Sequence, residues 1–244
     1  MKQKLKLPQP EKSKLIFFII LIVQFSFFEI FAGEKKCLVT TRPFINEGLP
    51  TRFIAFDFEN FPLDEWIILS VKRDLIGGDF KNIQKIKILD QGVYYEDLIS
   101  KSFGTLPVYN YPSNQFLRGE EVEFQLQNLE GEVLSNIKII PRKITKKSND
   151  HSFSVSAKLS MIYPTNYLLN FEGLIENEMI DLQSKSENET VNTNFKYQVG
   201  FEIGYMPGVL GQQGGKGFIR FNRETKDFME LNLPWGVSLL DDVF

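Results

Sequence analysis

The twenty residues EEVEFQLQNLEGEVLSNIKI, Glu120 to Ile139, place Val122, Phe124 and Leu126 at every second position among Glu121, Glu123, Gln125 and Gln127. That period of two is the signature of a strand with one face buried and the other in water. Asn128 to Glu132 supplies turn chemistry around Gly131, and Val133, Ser135, Ile137 and Ile139 resume the alternation on a returning strand. The stretch therefore predicts a β-hairpin.

Working outward, the chain repeats the pattern without a gap fifty-eight residues later, as EMIDLQSKSENETVNTNFKY, Glu178 to Tyr197. Ile180 and Leu182 stand for Val122 and Phe124, Ser186 to Thr190 for the turn, and Val191, Thr193, Phe195 and Tyr197 for the return. A Tyr-Pro-Ser-Asn at 111–114 and a Tyr-Pro-Thr-Asn at 163–166 precede the two copies. The pattern predicts a duplicated β module.

The N-terminus carries Lys2, Lys4, Lys6, Lys12 and Lys14, then an apolar run from Leu15 to Phe28, then Ala32 and Gly33. This is the layout of a secretory signal peptide, with an apolar core below the ~18 residues that a spanning helix needs. Cleavage is expected near Ala32, leaving no transmembrane anchor; the competing reading is an uncleaved N-terminal anchor. Cys37 is the only cysteine, so no internal disulfide can form and the exported domain rests on its core.

Without residues 1–32 the chain keeps 23 basic and 29 acidic side chains, a net charge of −6. No basic stripe is present, and nucleic acid is excluded as a partner.

The remainder divides into a leader at 33–50, a first module at 51–142, a charged linker at 143–151 and a second module at 152–240. Strands are expected at Arg52 to Glu59, Trp66 to Arg73 and Lys85 to Leu89, with a short helix or irregular crossover over Val93 to Phe103. In the second half, apolar alternation or short apolar runs at Phe153 to Leu159, Tyr167 to Phe171, Phe201 to Met206, Gly217 to Asn222 and Phe228 to Leu233 predict further strands. The fold expected is all-β, two tandem immunoglobulin-like β-sandwich modules behind an N-terminal signal peptide. A Gly-Glu before a Val-x-Phe-x-Leu strand, a Gly turn and a return strand ending in Pro, as at Gly119 to Pro141, resembles the tandem immunoglobulin-like sandwiches of bacterial surface proteins. The second copy departs from it, with Asn177 for Gly119 and Val199 for Pro141.

Chemistry is harder to place. The glycines at 208, 211, 214, 215 and 217 beside Lys216 do not make a Walker loop, because Leu210 and Gly217 occupy its first and last positions; a flexible loop is expected. His151, the only histidine, sits in the charged segment, which argues against a metal site or a nucleophile–imidazole pair. No catalytic residue, cofactor or metal is assigned. Asp57, Glu59, Asp64 and Glu65 read as solvated carboxylates of an acidic protein. Tyr94, Tyr95, Tyr109, Tyr111, Tyr163 and Tyr167 fall near strand ends or turns, where exposed rings could stack on sugar or meet a protein.

The function expected is that of an exported, non-enzymatic envelope or surface protein that binds another protein through loops or a sheet edge. An accessory subunit that pairs by strand addition uses the same physics. The alternative is a carbohydrate-binding module or a carboxylate-dependent glycosidase acting on a glycan.

Overall fold

The computed structural model describes residues 36–240 apart from 47–48, 107–108, 187–188 and 209–211. The signal-peptide reading at 1–32 lies outside the described residues. The first nine strands are β1 (Lys36–Asn46), β2 (Leu49–Glu59), β3 (Trp66–Lys72), β4 (Lys81–Leu89), β5 (Gly92–Asp97), β6 (Phe103–Leu106), β7 (Tyr109–Pro112), β8 (Val122–Asn128) and β9 (Val133–Ile139). Eight follow: β10 (Ile144–Lys147), β11 (Ser154–Met161), β12 (Asn166–Glu172), β13 (Met179–Ser186), β14 (Glu189–Lys196), β15 (Glu202–Tyr205), β16 (Gly214–Arg223) and β17 (Phe228–Gly236). Apart from short 3-10 turns, no helix occurs among the described residues.

Four antiparallel sheets result, ordered β1-β2-β7, β6-β5-β4-β3-β8-β9, β10-β11-β12-β15 and β14-β13-β16-β17. They enclose two hydrophobic clusters. In the first, Ile54 and Phe56 of β2 and Tyr109 and Tyr111 of β7 face Ile67 and Leu69 of β3 and Phe124 and Leu126 of β8. Phe56 and Phe124 meet edge-to-face at 5.3 Å, the geometry that ring quadrupoles favour. In the second, Val155, Leu169 and Phe171 face Ile180, Ile219 and Phe221. Phe171 and Phe221 meet in the same way at 5.1 Å. Each cluster lies between two sheets, so the chain packs as β-sandwiches.

Three stretches depart from the sequence reading. The expected leader at 33–50 is largely strand: all of β1 pairs with β2, from Lys36 opposite Glu59 to Asn46 opposite Leu49. Its weak alternation hid it, because backbone pairing does not require a period in the side chains. Val93 to Phe103 holds no helix; it forms β5, a turn capped by the Asp97 carboxylate on the amides of Ile99 and Ser100, and the start of β6. The expected linker at 143–151 is part of the second sandwich. Ile144 is buried and β10 pairs with β11, while Thr145, Lys146 and Lys147 are exposed. Lysines on a short edge strand blunt it against further pairing, and the same composition resembles a linker.

The two sandwiches meet at the turn from Phe116 to Glu120, with Leu75 also packed against the second cluster. Phe116 enters the first cluster and Leu117, its neighbour, enters the second. Gly119 (φ 79°) lets the turn press against β11: its carbonyl accepts the Leu159 amide at 2.8 Å, and a Cβ there would sit 3.1 Å from the Ala157 oxygen. Glu120 closes the turn, fully buried, with its carboxylate forked by Arg73 at 2.6 and 2.7 Å and accepting the Leu117 amide at 2.9 Å.

Removing the guanidinium strands a buried carboxylate, which costs roughly 3–5 kcal/mol. Arg73→Ala is therefore expected to lower the unfolding free energy in urea by about 3 kcal/mol. Lys72→Ala, which breaks only the exposed pair with Asp74, is expected to change it by less than about 0.5 kcal/mol.

Candidate functional site

The hairpin β13–β14 is built like β8–β9. Ile175 to Glu178 forms the entry turn as Leu117 to Glu120 does, each closed by the amide of the glutamate on the carbonyl three residues back. Asn177 (φ 68°) holds the left-handed position that Gly119 holds, a conformation asparagine tolerates better than most residues. Glu178 accepts the Ile175 amide at 3.1 Å and is forked by Arg223 at 2.5 and 3.0 Å. Gln183 bonds Asn192 across the strands at 3.1 Å, and Gln125 bonds Asn136 at 3.0 Å.

The gapless alignment fails only on the return. Val122 lies opposite Ile139, whereas its counterpart Ile180 lies opposite Phe195 rather than Tyr197, a slip of two residues. The shift is even, so each side chain keeps its face. The first turn has room for the Asn128 carboxamide to accept the Glu132 amide at 2.7 Å, while the second hairpin pairs up to Ser186 and Glu189.

In the first sandwich β8 lies between β3 and β9, and β9 ends its sheet, touched by β1 of the other sheet. In the second, β14 has β13 on one side and no described strand on the other. Thr190, Val191, Asn192, Thr193 and Asn194 are exposed in succession, on both faces. The other described edges differ: β6, β7, β10 and β15 are four residues each, β1 is eleven residues long but carries Pro43, β9 has a bulge in its pairing and touches β1, and β17 carries Pro234 and has its Phe228 carbonyl bonded by Asn149. An eight-residue edge rich in Thr, Val and Asn, without proline or bulge, is open to another strand.

Backbone direction follows from one residue. The Tyr197 amide donates to Glu178 and its carbonyl accepts from Asn177, both at 2.8 Å, so both groups face β13. Direction alternates along a strand, so Phe195, Thr193 and Val191 also face β13, while Thr190, Asn192, Asn194 and Lys196 present their amides and carbonyls outward.

The tyrosines divide by burial. Tyr109, Tyr111 and Tyr167 are core residues at 2, 6 and 0% exposure, so none is an exposed ring. Burial pushes all three phenols above their usual range, and the Tyr167 hydroxyl donates to the Pro234 carbonyl at 2.7 Å. Tyr95 is half-buried against the first core. Tyr163 is 91% exposed at its turn, although it matches buried Tyr111 in the two tetrapeptides. Tyr94 lies on the outer face of the six-stranded sheet, edge-on to Trp66 at 5.6 Å. The Lys85 and Lys87 ammonium groups sit 4.4 and 5.6 Å from the Trp66 ring centre.

The later part of the glycine cluster also differs from the expected flexible loop, while Gly211 lies outside the described residues. Gly214, Gly215 and Gly217 belong to β16, where Gly215 lies opposite Trp235 and a Cβ on it would meet the indole at 3.2 Å. A Cβ on Gly217 would collide with Pro207 and the Tyr205 hydroxyl. These glycines form a seat for rings. His151 is exposed on a turn at φ 63°. Among the described residues, no three His, Cys, Asp or Glu side chains converge as a metal site, and no helix is long and apolar enough to cross a membrane.

No protein-family model matches the chain, and no curated protein does either. The fold defines an all-β protein with sandwich packing.

Burial alone would raise the Glu178 carboxyl, but the Arg223 fork and the Ile175 amide outweigh it and hold the group below its usual range. A carboxylate depressed in the folded state stabilises fully above its unfolded pKa of about 4.3, and that contribution disappears as pH falls through the folded value. Urea unfolding from pH 6 down to 3 is expected to show a smaller acid loss in Glu178→Gln than in the parent, with the variant already weaker at pH 6. Equal pH slopes would show that the fork is not what acid breaks.

Proposed function

We propose that this chain is an exported, non-enzymatic protein of two tandem immunoglobulin-like β-sandwich modules, which binds another envelope or surface protein by strand addition at β14. The single observation that carries the binding reading is that edge. It presents outward amides and carbonyls at alternate residues and side chains exposed on both faces, the arrangement that β-augmentation uses. Two glutamate-forked hairpins with matching entry turns support the tandem reading. The non-enzymatic reading is supported by the only imidazole lying exposed on a turn. Export, with cleavage near Ala32, rests on the basic, apolar and small residues of positions 1–33.

Asn194→Pro tests the edge, because proline there removes an outward amide and leaves the β13 ladder intact. Cross-linking of the full chain in an envelope fraction is expected to lose its main adduct, at least tenfold, in Asn194→Pro. Unfolding should be nearly unchanged. An undiminished adduct would reject the edge.

A second reading has its own observation. Trp66, Tyr94, Lys85 and Lys87 form an aromatic and basic patch on the outer face of the six-stranded sheet, a surface suited to an acidic glycan. On this reading, retention of the chain on an acidic envelope polysaccharide falls at least tenfold in Trp66→Ala. Absence of retention by the parent chain would dispose of it.

A further inference from the structure

β14 is complementary to itself. An antiparallel ladder matches outward-facing residues with outward-facing residues, so a twofold axis relating two β14 strands must pass through a residue rather than between two. We infer that the partner at this edge is a second copy of the chain, with β14 pairing antiparallel to its twin about an axis through Thr193. The inference rests on the strand-addition reading above and names its partner.

In that register Asn192 lies opposite Asn194, and Thr190 opposite Lys196, as the hydrogen-bonded pairs. Val191 lies opposite Phe195 in the non-hydrogen-bonded pairs, where side chains approach most closely. Symmetry makes each pair twice. No like charges face one another. An axis through Asn192 would instead set Val191 against Thr193, and one through Asn194 would set Val191 against buried Tyr197, so only the Thr193 axis brings exposed Val191 opposite Phe195.

The Thr193 register also covers what the edge leaves exposed. Val191 is 59% exposed and lies on the same face as half-buried Phe195, whose ring is 6.1 Å from that of Phe201, itself 42% exposed. An axis perpendicular to the sheet keeps these residues on the core-facing side in both copies. Two four-stranded sheets thereby become one of eight strands, with a closed, isologous interface that leaves neither β14 free.

The register predicts a cross-link. Residues facing each other in a non-hydrogen-bonded pair have Cα atoms about 4.5 Å apart, within the roughly 4.4–6.8 Å that a disulfide spans. In the full chain carrying Cys37→Ser, oxidation with copper phenanthroline in the envelope fraction is expected to convert Thr193→Cys mostly to a covalent dimer. Lys185→Cys, exposed on the neighbouring strand, is expected to remain monomeric. Differently tagged Val191→Cys and Phe195→Cys chains expressed together are expected to form mixed dimers at least tenfold more than either forms alone.

Equal dimer from Thr193→Cys and Lys185→Cys would overturn the self-pairing. If Asn194→Pro then still abolished the adduct of the parent chain, the edge would stand and its partner would be a different protein. If neither the proline nor the cysteines had any effect, the edge reading would fall as well.

Discussion

The buried fork between Arg73 and Glu120 is the interaction on which the arrangement of the two sandwiches depends. A carboxylate with no exposure is costly unless its oxygens are matched, and here both are matched by the guanidinium while a third bond comes from the Leu117 amide. The match fixes the turn, and the turn sends Phe116 into one core and Leu117 into the other. Because the Gly119 carbonyl accepts the Leu159 amide, the same few residues also hold the first sandwich against β11 of the second. Charge pairing here decides geometry more than it adds stability.

Arg223 and Glu178 repeat the device at the head of β13, and in both hairpins the outer strand, β9 or β14, is the last of its sheet. β8 is flanked on both sides, and the outer strand β9 of its hairpin has β1 beside it. β13 likewise lies between β16 and β14, and what distinguishes β14 from β9 is that no described strand of another sheet lies beside it. A well-anchored hairpin with an unguarded outer strand holds its open amides and carbonyls in fixed register, and so lowers the entropic cost of adding another strand. The β13–β14 hairpin is anchored by the Arg223–Glu178 fork where it joins the sandwich, and no described strand pairs with its outer side.

Several features were legible in the residues because they depend on local periodicity. Alternation at Val122 to Leu126 and at Phe153 to Leu159 located strands and their buried faces correctly, and Gly131 marked a turn. Other signals misled for reasons that are physical. Tyr109, Asn110 and Tyr111 alternate buried, exposed, buried, but a four-residue strand between two prolines is too short to be told from a loop. Lys146 and Lys147 have the composition of a linker because an edge strand and a linker face the same solvent. Glycines at 214, 215 and 217 read as flexible, yet in β16 they admit Trp235, Pro207 and Tyr205, and no local pattern announces a distant ring.

The sequence by itself determined the all-β class, the faces of the longer strands and the likeness of the two hairpins, since each follows from the period of two and from turn residues acting within a few positions. Which arginine meets which glutamate was decided only in three dimensions, with partners 47 and 45 residues apart. So was the two-residue slip of β14, which turn length imposes and which an even shift conceals from any pattern of faces. The open edge was decided there too. Whether a strand lies inside or at the end of a sheet depends on the order of its neighbours, and that order is a property of the assembled sheet rather than of the strand.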